Sequence, residues 1–465
     1  MTPAARLQTC IDLVEEITAT PRPADGVVSA FFRARRYIGS KDRRAIGDEV
    51  WRVIRTWART GWWVQRALSS LGVPSPEIPT WDAVSPRHRV LVGRVLQQAE
   101  TVVDLEVLCS GDRYAPTRLL SRESALIRAL QGRVLTHPDQ PDWVRHEMPE
   151  WVLPLLSRVS DGDTDLLLHA LNAEAPITVR VNTLKASLQD AASRLQEDGI
   201  PAESGRFSPL ALHLEGRAHI AATPTFQNGW VEVQDEGSQM VALLTDARPG
   251  LAVVDFCAGA GGKTLALAAA MQNKGRLIAC DVSQGRLDRS GQRLKRAGVH
   301  NVTSRLLSNE RDKWIKRVRG TFDRVLVDAP CSGTGTWRRN PDARWRWDRQ
   351  ALSDLVEVQR SILMSAARLV KPGGRLIYAT CSLLKKENEA HIAWFLEQQA
   401  EEKGEDTPHF DVVDVGDVWA QAVACDAGLN TPPPLPAGIT GPFLYMDPAQ
   451  HGTDGFFVAV LERVR

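Results

Sequence analysis

The chain has no uninterrupted apolar run approaching a membrane span, and its N-terminus has no signal-peptide core before the first acids. We therefore expect a cytoplasmic protein with no membrane partner. Paired cysteines are missing too. Cys10, Cys109, Cys257, Cys280, Cys331, Cys381 and Cys425 include no Cys-x-x-Cys, and none stands at zinc-ligand spacing with a histidine. An odd number without such pairs excludes a disulfide framework, so reduced thiols and no metal are expected. Net charge is nearly absent, at +1 over 465 residues, which argues against a uniformly basic binder of polyanions.

What is present is segregated charge. Between Arg33 and Arg59 stand nine Lys/Arg against three acids, and between Arg286 and Arg319 eleven against three. Acids gather instead from Glu401 to Asp417. Such patches suit a protein that turns one face to a polyanion. The 24% charged and 43% hydrophobic content is that of a folded globular chain. Its length calls for about three domains.

Residues 1–140 read as helical. Leu7, Ile11, Val14 and Ile17, then Val50, Ile54 and Trp57, recur at spacings of three and four, and breakers at Pro21, Pro23 and Pro74 to Pro79 divide the stretch. Its arginines interleave with Trp51, Trp57, Trp62 and Trp63. The tryptophans are read as core; for the arginines a phosphate-gripping face and a solvated helix face stand equally open. Residues 141–235 read as a small α+β module around the strand Ile177 to Val181, with Arg180, Asn182 and Lys185 at its exit as candidate RNA contacts. From residue 236 to 465 strands and helices alternate, the rhythm of a doubly wound, mostly parallel α/β sheet. The strands expected there are Leu251 to Asp255, Arg276 to Cys280, Val302 to Leu307, Phe322 to Val327 and Arg375 to Ala379. A final hairpin-like pair, Phe443 to Met446 with Gly455 to Leu461, is expected at the sheet edge.

The first strand of that domain runs into Cys257-Ala-Gly-Ala-Gly-Gly-Lys-Thr264. A phosphate loop would need glycine where Cys257 stands, and a dinucleotide turn would need one where Thr264 stands. What remains is a glycine turn that lets a ligand approach the backbone, with Asp281 lying 22 residues past Gly259, where ribose hydroxyls are bound. A nucleoside ligand without a required phosphate fits, and S-adenosylmethionine is one. Two later strand ends each present a cysteine: Asp328-Ala-Pro-Cys331 and Thr380-Cys381-Ser382. With strands one, four and five adjacent, Gly259, Asp328, Cys331 and Cys381 would surround one crevice. The loop that follows holds Trp337, Trp345 and Trp347 with Arg338, Arg339, Arg344, Arg346 and Arg349, a combination that stacks bases and contacts phosphates.

Asp255 to Thr264, Asp328 to Thr336, and Thr380-Cys-Ser382 with Glu387-Asn-Glu389 resemble the Sun/Fmu (RsmB-type) group of bacterial RNA cytosine-5 methyltransferases. Gln234 to Gln239 and His451 to Phe457 match as well, and the stretch around Gly39 to Arg44 resembles the NusB-like RNA-binding domain of the ribosomal members. The resemblance implies a Rossmann-like methyltransferase using S-adenosylmethionine to methylate carbon 5 of a cytosine, in small-subunit ribosomal RNA. By resemblance, Cys381 is the nucleophile toward carbon 6, Cys331 assists release, and Asp328 serves the ring nitrogen. The cofactor would lie on Cys257, Ala258, Gly259, Gly261, Gly262, Lys263, Asp281 and Asp328. RNA would meet Arg180, Lys185, Arg338, Arg339 and Arg344, and the protein would work as a monomer. Two positions depart from the pattern: Ala260 replaces a common proline, and strand three ends Leu307-Ser308-Asn309 where an acid is usual. Asn309 or Ser308 is expected to take over the adenine contact. A transfer RNA or protein substrate for the same fold, or a non-catalytic RNA-binding role, remains the alternative.

Overall fold

Apolar positions repeating at helical spacing produce, in the computed structural model, the helices Pro3–Thr18, Ala24–Ala34, Ser40–Arg55, Trp57–Ser70, Pro86–Gln98, Val102–Leu108 and Ser121–Leu130. The described residues are 1–72, 84–156, 163–216, 219–401, 408–426, 435 and 441–464. The breakers from Pro74 to Pro79 and the side chain of Cys425 lie outside them. Thr2 and Ser85 start their helices by accepting the backbone N–H of Ala5 and His88, each with a proline in the first turn. Trp57 and Trp63 are buried in this helical core, as read from the sequence. Arg33, Arg36, Lys41 and Arg44 stay exposed beside Tyr37, whereas Arg52 and Arg59 pair with Glu49 and Glu147.

Two compact units result, Met1–Asn172 with Trp337–Asp348, and Ala173–Thr336 with Arg349–Arg465. The first unit thus continues past residue 140 as far as Asn172. Asp142–Arg145, Leu153–Leu156 and Thr164–Asn172 are helices of the first unit. There Glu147 accepts the N–H groups of Ala58 (2.7 Å) and Arg59 (3.0 Å), capping the helix Trp57–Ser70 from a distance in sequence.

In the second unit, β1 (Ile177–Val181), β2 (Ala202–Ser204), β3 (Ala211–Leu214) and β4 (Val231–Val233) form an antiparallel sheet in the order β2-β3-β1-β4. It continues into the catalytic domain through Gln234 to Gln239. Glu236 accepts the N–H of Phe207 (2.5 Å) and Ser208 (2.7 Å), and Gln239 donates to the carbonyl oxygen of Val179 (3.3 Å).

The main sheet contains β5 (Ala252–Asp255), β6 (Arg276–Asp281), β7 (Val302–Leu306), β8 (Phe322–Asp328), β9 (Val370–Thr380), β10 (Phe410–Val413), β11 (Leu444–Met446) and β12 (Phe456–Arg463). Its order is β10-β12-β9-β8-β5-β6-β7, with β11 paired to β12. The run from β9 to β7 is parallel; β12 is antiparallel to β9, and β10 to β12. This is the expected doubly wound α/β sheet. Val325 and Val327 of β8 enter the core on one face, and Leu326 that on the other. A strand buried on both sides has to read as a continuous apolar run.

One expectation is corrected. β11 and β12 do pair, Leu444 opposite Val458, but β12 is not an edge strand. It lies between β9 and β10, and β10 comes from the stretch read as an acidic insertion. Its four residues, Phe410 to Val413, carry too little alternation to stand out.

Candidate active site

The strand order reverses at β5, flanked by β8 on one side and β6 on the other, and the crevice of such a fold opens beyond the carboxyl ends of these strands. Register places Asp328 of β8 opposite Ala379 of β9, so the turns that follow the two strands leave the sheet side by side. Cys331 and Cys381, 50 residues apart in sequence, bring their sulfurs to 3.4 Å. Both are half-buried, accessible to a reactant yet shielded from bulk water. The adjacency expected for the first, fourth and fifth strands of this domain is the one observed.

Lys263 reaches Asp328 at 2.7 Å from the first turn of the helix Gly262–Ala270. Burial works against the ammonium charge, but the Asp328 carboxylate outweighs it, aided by Cys381 and Asp255, and the lysine titrates above its ordinary range. Cys331 moves the same way. Its contact with Cys381 and its burial push the thiol well above the usual range, and the charge of Glu387 adds to both. Cys331 therefore holds its proton at neutral pH.

Glu387, fully buried, joins the two cysteine turns. It accepts the Ser332 N–H (2.8 Å), the Ser332 hydroxyl (2.5 Å), the Gln359 amide (2.9 Å) and the Ser382 hydroxyl. Tyr378 donates to its backbone oxygen at 2.8 Å. The Gly335 N–H donates to the Cys381 carbonyl, and the Gly455 N–H to the Gly335 carbonyl, both at 2.9 Å. A Cβ at Gly335 would lie 2.4 Å from that Gly455 oxygen, which accounts for both glycines. The sequence named Glu387 as part of a motif without giving it work; its contacts to Ser332, Ser382 and Gln359 span too many residues for spacing to reveal.

On the nucleoside side, Gly259 (φ 56°) and Gly261 (φ 83°) take left-handed conformations. A Cβ on Gly259 would meet nothing within 4 Å, so the turn faces open space there, whereas at Gly261 it would strike Ser290. Asp281 accepts the N–H of Gly259 (2.9 Å) and of Ser283 (2.7 Å). It fixes the turn and keeps a second lone pair on each oxygen. Ser283 precedes the helix Gln284–Ala297, but its hydroxyl makes no capping bond; its N–H is held by Asp281 instead.

Asp255, which ends β5, takes the Thr264 hydroxyl on one oxygen at 2.7 Å and has no donor on the other. Burial pushes its carboxyl up to about 7, with Asp328 and Asp281 contributing to the rise. An orphaned buried acid beside an open glycine turn suits a ligand that carries hydrogen-bond donors, so these residues fit S-adenosylmethionine.

At the end of β7, the Asn309 side-chain oxygen accepts the Arg311 N–H (2.8 Å), and the Ser308 hydroxyl donates to Asp312 (2.9 Å). Asp312 is the N-cap of the helix Lys313–Arg317 that follows this strand end. The N–H groups of Ser308 and Trp314, with the Ser308 hydroxyl, draw the Asp312 carboxyl down to about 2.

The candidate RNA contacts are scattered. Lys185 is exposed, donating to the carbonyls of Asn228 and Arg296, both at 2.7 Å. Arg180 is buried against Gln234 and the Gly262 carbonyl, and lines a partly open pocket of about 310 Å³ beside Gln239 and Ala242. Arg339 is half-buried, whereas Arg338 and Arg344 are buried in the helical unit. Arg344 donates to the carbonyls of Glu147 (2.8 Å), Leu171 (3.1 Å) and Trp337 (3.2 Å). Burial lowers its pKa to about 9. Phosphate contact by Arg180, Arg338 and Arg344 is therefore withdrawn, because their guanidinium groups are enclosed by protein. Arg344→Met is expected to lower folding stability by about 3–5 kcal/mol by orphaning these carbonyls. The slope of RNA affinity against salt should stay unchanged, and denaturation with salt-titrated RNA binding checks both.

Comparison with known proteins agrees with this geometry. The family model described as 16S rRNA methyltransferase RsmB/F matches residues 242–462, and the RsmF/B-like ferredoxin-like domain matches residues 148–221. A probable ribosomal RNA small subunit methyltransferase B of Synechocystis is 31% identical over 69% of this chain and 67% of its own. The ribosomal RNA small subunit methyltransferase B of Erwinia tasmaniensis is 27% identical over 96% of both chains. The crystal structure of the protein PH0851 superposes with a TM-score of 0.77 at 27% identity, covering 99% of each chain. With its crevice and its motifs, the chain belongs to the RsmB/F family of S-adenosylmethionine-dependent ribosomal RNA methyltransferases.

Proposed function

We propose that the protein methylates carbon 5 of a cytosine in small-subunit ribosomal RNA through a covalent adduct between Cys381 and carbon 6. The observation that carries this reading is the pair of sulfurs 3.4 Å apart beside the Lys263–Asp328 ion pair. Carbon 5 of cytosine is a weak nucleophile until a thiolate adds to carbon 6 and breaks the ring's aromaticity. Cys381 forms that carbon–sulfur bond while Asp328 supplies a proton or hydrogen bond to the ring nitrogen. S-adenosylmethionine, when bound, supplies an electrophilic methyl group that carbon 5 takes. A base then removes the proton from carbon 5, the bond to Cys381 breaks, and Cys331 serves this release.

We assign the cofactor to the turn Cys257, Ala258, Gly259, Gly261, Gly262 and Lys263, to Asp281 and Asp328, and to the β7 end, where Asp312 joins Asn309. RNA is assigned to the exposed Arg33, Arg36, Lys41 and Arg44 beside Tyr37, with Lys185 as a further contact. Cys331→Ala tests the mechanism. With S-adenosylmethionine present it is expected to accumulate a denaturation-resistant adduct with small-subunit ribosomal RNA, visible as a gel shift and absent from transfer RNA. An equally strong adduct in Cys381→Ala would discard the assignment of roles.

A further inference from the structure

We propose that Glu387 is a positioning residue of this reaction: a single buried carboxylate that fixes both cysteine turns and so sets which sulfur, Cys381 rather than Cys331, is presented for attack. The proposal rests on the cytosine-5 reading and deepens it. The Ser332 N–H and the Gln359 amide can only donate, and the Ser382 hydroxyl, which itself accepts the Leu384 N–H at 3.0 Å, also turns its proton to Glu387. Two N–H donors and two hydroxyls thus converge on one carboxyl group. Ser332 and Ser382 directly follow the two cysteines in sequence, so one anion sets where each sulfur sits.

The surrounding bonds tighten the same joint. Thr334 accepts the Leu383 N–H at 2.7 Å, Gln359 also donates to the Pro330 carbonyl at 2.9 Å, and Asn388 links Thr380 to the Ser382 carbonyl. The charges on the two sides of the sulfur pair are opposite. The ammonium of Lys263 interacts with Cys381, while the carboxylate of Glu387 raises the thiol of Cys331. Two chemically identical side chains in contact need such an asymmetry if one is to attack while the other waits with a proton. Tyr378 also interacts with Cys331, but it is buried and held neutral, so Glu387 supplies the negative side.

Glu387→Gln in the full chain keeps the volume but sets an amide N–H against donors. We expect kcat to fall about 100-fold, the loss typical of a misplacement near 1 Å, while KM for ribosomal RNA changes less than threefold. Ser382→Ala, which removes one tether and leaves the carboxylate, is expected to lose about tenfold. A second readout needs neither RNA nor turnover. Iodoacetamide labelling followed by peptide mass spectrometry should show Cys381 modified ahead of Cys331 in the wild type, with that preference reduced about tenfold in Glu387→Gln. An unchanged labelling preference overturns the proposal, even if the variant melts earlier, because Glu387 would then be only structural. A shifted preference in a protein whose wild type leaves cytosine unmethylated would sink the reaction reading and leave the clamp standing.

Discussion

Cys381→Ala is expected to lower methyl transfer by a factor on the order of 10⁴ or more while leaving affinity for RNA and S-adenosylmethionine within about threefold. The asymmetry follows from where this sulfur acts. Until the carbon 6 bond forms, carbon 5 has no electron density to offer, so without the nucleophile the reaction keeps its binding and loses its path. Loss of an interaction made only on the way to the transition state lowers kcat and kcat/KM together. The substitution removes one half-buried sulfur. Its effect on folding should stay near 1 kcal/mol, too small to masquerade as catalysis. Cys331 lies 3.4 Å away on the turn after β8, and in the variant its burial and the charge of Glu387 still disfavour its thiolate. Single-turnover transfer of a labelled methyl group gives the number, and a rate within tenfold of the wild type would end the claim that Cys381 is the nucleophile.

The parts of this site that follow from local chemistry were legible in the sequence, and the parts that need distant residues were not. Val325 to Val327 ending at Asp328, and Arg375 to Ala379 ending before Cys381, announce buried strands, because a strand covered on both faces has no polar alternation. Their adjacency then follows from parallel topology, and β8 and β9 do pair. Glu387 stayed mute because a buried carboxylate looks like any surface glutamate until Ser332, Gln359 and Ser382 close around it. Arg344 misled for the converse reason. Arginine beside tryptophan reads as a nucleic-acid contact, yet three backbone carbonyls use the same planar fork. Asp312 lay outside the motif, which pointed to the strand's last residues, whereas the turn after β7 returns its carboxylate to the Ser308 N–H.

Asp328→Asn is expected to lower kcat by about 10²–10⁴-fold, the usual contribution of a positioned acid, and to shift the alkaline side of the rate profile. The direction follows from Lys263. In the wild type its pKa is raised, so the stability of the Lys263–Asp328 pair is fully present below the unfolded lysine value of about 10.4 and is lost as pH rises through the higher folded value. An amide at position 328 removes the largest counter-charge and leaves the burial of Lys263 opposed only by Cys381 and Asp255. The ammonium then loses its proton at lower pH, and the alkaline limb moves toward neutrality. The Asp328 side chain is 31% exposed and Lys263 10%. Solvent screening therefore keeps the folding cost near 1 kcal/mol, and most of the lost rate belongs to chemistry. Lys263→Met closes the cycle: if ion pair and acid act as one unit, the double variant is no slower than Asp328→Asn alone. Rate losses that multiply across the two substitutions would mean that Lys263 and Asp328 serve separate steps.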